Sequence, residues 1–154
     1  MPIYMKFAHI GGSSTATGFT GQFEADSLSF SDSKSIAYTG SEVNFGTVEF
    51  SEVQVQMPMG VSSDKFCLQC FTRKPIDTIT ITVTATVNGN VRTVTRYTLT
   101  ETYITNINIG ADAIGVPSMG LSIRYHKIKY ESIPVRPDGT HGDIVIVDET
   151  DATF

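Results

Sequence analysis

Tryptophan is absent from this chain of 154 residues, cysteine occurs twice and histidine three times. Two cysteines cannot build a disulfide framework. No apolar run approaches the ~18 residues that a membrane-spanning helix needs, so no membrane insertion is expected. Positive charge is in deficit: eleven Lys and Arg stand against sixteen Asp and Glu, a net charge of -5. A nucleic-acid partner would call for a basic face, and this balance argues against one. The opening Met1-Pro-Ile-Tyr-Met-Lys-Phe has no basic region followed by a long apolar run, so no cleavable signal peptide is expected. Synthesis and folding in the cytoplasm follow from that, and any export would use a route without a signal peptide. Internal repeats, coiled-coil heptads and low-complexity tails are missing too.

What is present suits one domain with a core of its own. The length falls within the common range of about 100–200 residues. Hydrophobic residues make up 40% and charged residues 18%, the composition of a globular chain. Twenty residues are threonine, many alternating with Ile, Val or Tyr. Threonine is β-branched and favours a pleated, half-solvated surface. In Thr78-Ile-Thr-Ile-Thr-Val-Thr-Ala-Thr-Val87, strict alternation predicts Ile79, Ile81, Val83, Ala85 and Val87 on one face and the threonines on the other. Asn88-Gly89 follows, the signature of a two-residue turn needing φ > 0 twice. Residues 77–109 therefore read as one long antiparallel hairpin.

Further strands are expected at Ile3–His9, Gly21–Phe30, Val48–Met57 and Leu121–Val135. In the last, apolar parity shifts near His126-Lys127, which predicts a β-bulge. One helix is expected, capped by Ser62 or Ser63, with Asp64 in its first turn and Phe66, Cys67, Cys70 and Phe71 as its apolar stripe. Lys74-Pro75 should end it. Ser31–Gly46 is polar and long for a link between strands, and it reads as an extended loop. Pro134–Asp143 reads as a turn region. The fold class is mainly β: an antiparallel barrel or sandwich of about six to eight strands, with one flanking helix and an extended loop.

Motifs for chemistry are sparse. Cys67-Leu-Gln-Cys70 has the spacing of a redox pair or half a zinc site. A redox pair belongs at the helix N-terminus of a βαβ unit, and zinc needs two further ligands; packing inside a helix is the preferred reading. His9, His126 and His141 come without a nucleophile elbow, a zinc helix motif or a phosphate loop. Carboxylates are mostly single, and Glu24 with Asp26 suits a solvated strand face. The threonine row resembles an ice-binding ladder, but it occurs once, as on any strand with one wet face. Arg92, Arg96, Lys127, Lys129 and Arg136 form no run, at most a local anion-facing patch. No catalytic residue, metal ligand or cofactor is assigned.

One resemblance covers nearly the whole chain in element order. Tyr125-His-Lys-Ile-Lys-Tyr130, the following Pro134-Val-Arg-Pro-Asp-Gly-Thr-His-Gly142, and Tyr97-Thr-Leu-Thr100 resemble the last strands and turn of the hemolysin-coregulated protein (Hcp) family, the tube component of bacterial type VI secretion. Met1–Ile10 with Gly11-Gly12, and Phe23-Glu-Ala-Asp-Ser-Leu-Ser-Phe30, resemble its opening strands. Ser31–Gly46 stands at its extended loop and Ser62–Thr72 at its helix. Family members often carry tryptophan in the second and last strands, where Phe30 and Tyr130 stand here. The β-prone run from Asp143 to Asp148 has no assigned place beyond an edge or a subunit boundary.

The resemblance implies one tube domain over residues 1–154 with a structural and not a catalytic role. It implies homohexameric rings stacked into a conduit, with sheath and spike proteins and lumenal effector proteins as partners, and release to the outside through type VI secretion. Threonine-rich strand faces suit a hydrated channel. A ring or stacking contact through Ile36, Tyr38, Val43 and Phe45 of the extended loop is the expected interface. A phage-type tail tube protein and a monomeric ligand-binding barrel are the alternatives, followed by a small redox enzyme using Cys67 and Cys70.

Overall fold

A computed structural model describes residues 2–60, 63–72, 74–111, 113–115, 117–138 and 140–150, with the side chains of 32, 33, 35 and 45–49 outside that description. The strands are β1 (Ile3–Phe7), β2 (Phe23–Ala25), β3 (Ser27–Ser29), β4 (Asp32–Thr39), β5 (Glu42–Phe50), β6 (Val53–Pro58), β7 (Ile76–Val87), β8 (Asn90–Gly110), β9 (Ser118–Ser132) and β10 (Val145–Thr150). One helix, α1 (Ser63–Phe71), lies between β6 and β7.

The main sheet runs β2-β1-β7-β8-β9-β6-β3, with β10 added to β9, and every ladder in it is antiparallel. Its two ends belong to nearly the same segment. Residues 23–25 pair with β1 and residues 27–29 pair with β6, while the Asp26 N–H donates to the Gln56 carbonyl at 2.7 Å. One expected strand over 21–30 is thus two short ones bent at Asp26. That bend brings the ends of the sheet together into a nearly closed barrel, which leaves fewer strand edges bare.

The long hairpin forms as its alternation and turn dictate. Asn88 and Gly89 take φ of 52° and 76°, the left-handed pair of the turn, and β7 pairs with β8 from Val87–Asn90 to Ile76–Thr102. The burial alternation holds only to Ile81: Thr82 and Thr84 are also buried. Thr82 stands opposite Tyr4, so the two share a face. Phe19 stacks on that tyrosine with ring centroids 4.1 Å apart. Thr84 donates its hydroxyl to the Pro2 carbonyl at 2.9 Å. A segment from elsewhere in the chain therefore covers the face that alternation assigned to solvent.

The parity change in β9 is real in burial. Tyr125 and Ile128 are both buried, and so are Thr102 and Leu99 across from them. The ladder keeps one register through that point, with Thr100 on Lys127 and Thr102 on Tyr125, and Glu101 between them takes φ of 53°. The register shift itself falls between Ile104 and Asn106, so the bulge expected at His126-Lys127 lies farther along, in β8.

The core is a contiguous cluster that includes Met5, Phe23, Phe66, Ile79, Leu99, Ile123 and Tyr125. α1 contributes Phe66, which is fully buried against Phe7 and Phe23 at centroid distances of 4.8 and 5.1 Å. Burying such a ring contributes about 1.5–3 kcal/mol. At the start of the helix the Ser63 hydroxyl donates to the Gly60 carbonyl at 2.8 Å; Ser62 lies outside the described residues. The expected apolar stripe is narrower than the spacing suggested. Cys70 packs against the core, whereas Phe71 is 83% exposed.

Candidate assembly interface

Residues 31–50 correct the sequence reading most. The expected extended loop is a hairpin, β4 with β5, in a two-stranded sheet of its own. β5 takes residues 48–50 from the strand expected over 48–57, and the chain breaks pairing at 51–52 before β6. Gly40, at φ 64°, opens the two-residue turn, and the Asn44 side-chain amide donates to the Thr39 hydroxyl at 3.2 Å. At the root, the Ser51 N–H donates to the Ser31 carbonyl (2.9 Å) and the Ser31 N–H to the Ser51 hydroxyl (2.6 Å). Two aromatic residues flank that root and reach the barrel: Phe30 meets Tyr97 at 5.0 Å and Phe50 meets Tyr125 at 6.1 Å, both edge-on.

The ladder brings the expected interface residues together. Tyr38 stands directly opposite Val43, and Ile36 opposite Phe45. Tyr38, Ile36 and Val43 share one face, and they are 76%, 48% and 44% exposed. The side chain of Phe45 lies outside the described residues. A projecting hairpin with an uncovered apolar face gains nothing for its own fold from that face; such patches mark interaction surfaces.

A second exposed apolar run is β10. Ile144, Val145, Ile146 and Val147 are each about half exposed, and β10 pairs in regular register with residues 127–132 of β9. The run from Asp143 to Asp148 thus has a place, on an edge. A third lies on α1: Leu68, outside the expected stripe, and Phe71, expected within it, are one helical turn apart and 62% and 83% exposed. Their signal was available, since Leu68 falls off the stripe of Phe66 and Cys70.

The other candidate residues are scattered. Cys67 and Cys70 are free, half-buried thiols inside the helix. Among the described residues no group of three or more His, Cys, Asp or Glu gathers as a metal site. His9 follows β1 at φ 65°, His126 is in β9, and His141 bridges Val135. Glu24 and Asp26 are exposed and line an open cavity of about 560 Å³ floored by Met57 and Met119. Of the basic residues, Arg96 and Lys129 both pair with Glu131, at 3.2 and 3.3 Å. Thr82 and Thr84 are buried, which interrupts the threonine row. Burial raises the Tyr97 phenol above its ordinary value, helped by Tyr130 beside it. The Asp138 carboxyl is lowered by hydrogen bonds from the Thr140 hydroxyl and N–H.

Fold and exposed surface together define a class: a nearly closed antiparallel β-barrel with one helix against its core and an apolar-faced hairpin projecting from it. The sequence model of the type VI secretion system effector family Hcp matches residues 4–131. The chain belongs to that family, and it is a type VI secretion Hcp protein. A solved structure of a type six secretion system protein is similar over 99% of this chain and 96% of its own, with a TM-score of 0.91 at 16% identity. Hcp1 from E. coli EAEC 042 is similar over 97% of this chain and 99% of its own (TM-score 0.78, 14% identity). Hcp1 from Salmonella typhimurium covers 97% and 93% (TM-score 0.75, 15% identity). No curated protein matches the sequence significantly.

Proposed function

We propose that this chain, as a single tube domain over residues 1–154, forms homohexameric rings that stack into the conduit of a type VI secretion apparatus. Family membership combined with the exposed apolar face of β4–β5 carries this reading. The role is mechanical. Heterologous contacts between identical copies close a ring when their rotation closes. Stacked rings then extend the conduit, sheath and spike proteins surround and tip it, and effector proteins travel in its lumen. The chain is made in the cytoplasm and leaves through the apparatus, with no catalytic step of its own. Ile36, Tyr38, Val43 and Phe45 form the contact between copies. The barrel interior is filled by the core cluster around Met5, Phe66 and Tyr125, which disfavours the ligand-binding barrel.

The test is light scattering on a size-exclusion column, with negative-stain images of the same peak. Wild-type protein should show a sixfold mass and ring-shaped particles. Deletion of residues 34–43 should leave the β-sheet circular dichroism intact and weaken ring packing or stacking. Unchanged assembly of the deletion removes the hairpin from the interface. A clean monomer across a wide concentration range overturns the tube reading.

A further inference from the structure

β10 leaves a bare strand edge on the barrel. One side of it pairs with β9, and among the described residues no strand pairs with the other. Such an edge is usually guarded by proline, lysine or a bulge. Val145–Thr150 has none of these, and its charges, Asp148 and Glu149, are both acidic. The register sets its faces. Val145, Val147 and Glu149 stand opposite Ser132, Tyr130 and Ile128 of β9, which stand in turn opposite Thr95, Tyr97 and Leu99 of β8. Leu99 and Ile128 are buried, so this face continues the core, and it ends uncovered at β10. A groove of about 270 Å³ lies along it, lined by Phe30, Ile128, Tyr130, Val147 and Glu149. Its one charge is the Glu149 carboxylate, which stands opposite an aliphatic residue and not a cation.

The β4–β5 hairpin, for its part, lacks a third strand, and two strands alone are marginal in water. Its two open edges differ in charge. β5 carries Glu42 and Glu49 and no basic residue, which sets it against the acids of β10. A second β10 edge meets the same repulsion. β4 carries Lys34, the hairpin's one basic residue, with Ile36 and Tyr38 at the next alternate positions of the same face. All three are exposed. Laid antiparallel on β10, β4 has a register in which Lys34 meets Glu149, Ile36 meets Val147 and Tyr38 meets Val145. Its reverse face then sets Ala37 against Ile146. Opposite charges and apolar pairs across strands stabilise a ladder. A slip by one residue turns Ile36 and Tyr38 to the other face of β10. There Ile146 and Asp148 stand opposite Glu131 and Lys129, which are ion-paired, so the apolar row finds no continuation.

We infer that β4 of one copy adds as a strand to β10 of another in this antiparallel register, so that the sheet of one barrel continues into the hairpin of the next. This rests on the assembly reading above and names the surface that the hairpin meets. Side-chain rows then cross between copies: Val43 and Tyr38 run onto Val145, Ile36 onto Val147 and Tyr130, and Lys34 onto Glu149. The two edges belong to different parts of the chain, so the contact is heterologous and passes from copy to copy without ending at a pair.

The full-length protein is tested by sedimentation velocity, reading association as concentration rises. Ile36→Asp and Val147→Asp should each weaken assembly about tenfold or more, the size of a buried aliphatic anchor lost. Lys34→Glu and Glu149→Lys should each weaken it about threefold, and the double exchange should restore it. Each variant should keep the β-sheet circular dichroism of the wild type, since these side chains are exposed. In a Cys67→Ser/Cys70→Ser background, Ile36→Cys chains mixed with Val147→Cys chains should link on oxidation, whereas Ile36→Cys mixed with Ile146→Cys should not. Linkage through Ile146 in place of Val147 overturns the register. Assembly that depends on Ile36 yet ignores Val147 and Glu149 overturns the docking and leaves the tube reading standing. A wild type that stays monomeric overturns both.

Discussion

The two hairpins of this protein both close with a two-residue turn that holds a left-handed glycine, and they meet opposite fates. β7–β8 turns at Asn88-Gly89 and sets Ile79, Ile81 and Leu99 into the core. β4–β5 turns at Gly40 and leaves Ile36, Tyr38 and Val43 in solvent. The first is flanked by β1 over Ile79–Val83 and by β9 over Thr95–Gly110; the second pairs only with itself in the two-stranded sheet. An isolated two-stranded hairpin is marginal in water. What holds β4–β5 is its root, the Ser31–Ser51 hydrogen bonds and the Phe30 and Phe50 contacts with Tyr97 and Tyr125. The same local chemistry thus serves the core in one place and remains available to another molecule in the other.

The sharpest way to break the comparison is to truncate matching side chains. Leu99→Ala should cost about 2–5 kcal/mol of folding stability through lost transfer energy and a cavity, seen as a large fall in denaturation midpoint. Ile36→Ala, with its side chain half exposed, should change the midpoint by no more than about 0.5 kcal/mol. Equal losses would mean that the projecting hairpin belongs to the core.

The turns offer a finer test. Gly89 and Gly40 sit at φ 76° and 64°, where an alanine strains the backbone by about 1–2 kcal/mol. Gly89→Ala should lower global stability by that amount. Gly40→Ala should speed amide exchange within residues 36–45 and leave the global midpoint unmoved, because the hairpin opens as a local unit.

Smaller effects come from the polar face. Glu131 is nearly buried and accepts from Arg96 and Lys129, whose side chains are 41% and 43% exposed. Glu131→Gln should cost about 0.5–1 kcal/mol, since solvent already screens both cations. Raised salt should shrink the difference between variant and wild type.

The least effect is a pH slope. Tyr97 titrates above its ordinary value of 10.0 because burial disfavours its anion. Its contribution to stability is therefore complete below that value. It is lost as pH rises through the folded-state value, since the unfolded chain ionises first. Stability should fall above about pH 10, and Tyr97→Phe should flatten part of that fall.

The amino-acid sequence by itself determined the 77–109 hairpin, the helix position and the apolar character of Ile36, Tyr38 and Val43, which stand exposed. Period-two alternation, an Asn-Gly turn and isolated aliphatics in a polar stretch are local signals. It also carried the family, through Tyr125–Tyr130 and the turn after it. Ser31–Gly46 pairs as strands on a short period-two signal, Ile36-x-Tyr38 and Val43-x-Phe45 about Gly40-Ser41, which the polar composition around it outweighed; tertiary structure supplied the anchored root. It decided the bend at Asp26 that closes the barrel, a matter of which neighbour each half of the segment meets. It buried Thr82 and Thr84, which depend on Tyr4, Phe19 and Pro2 arriving from elsewhere in the chain. It also brought His9 and Ile10 to a groove beside α1 and the start of β7. No residue's own pattern can report that, since residues 8–10 lie far in sequence from 65–77 and the cavity is seen only when they pack.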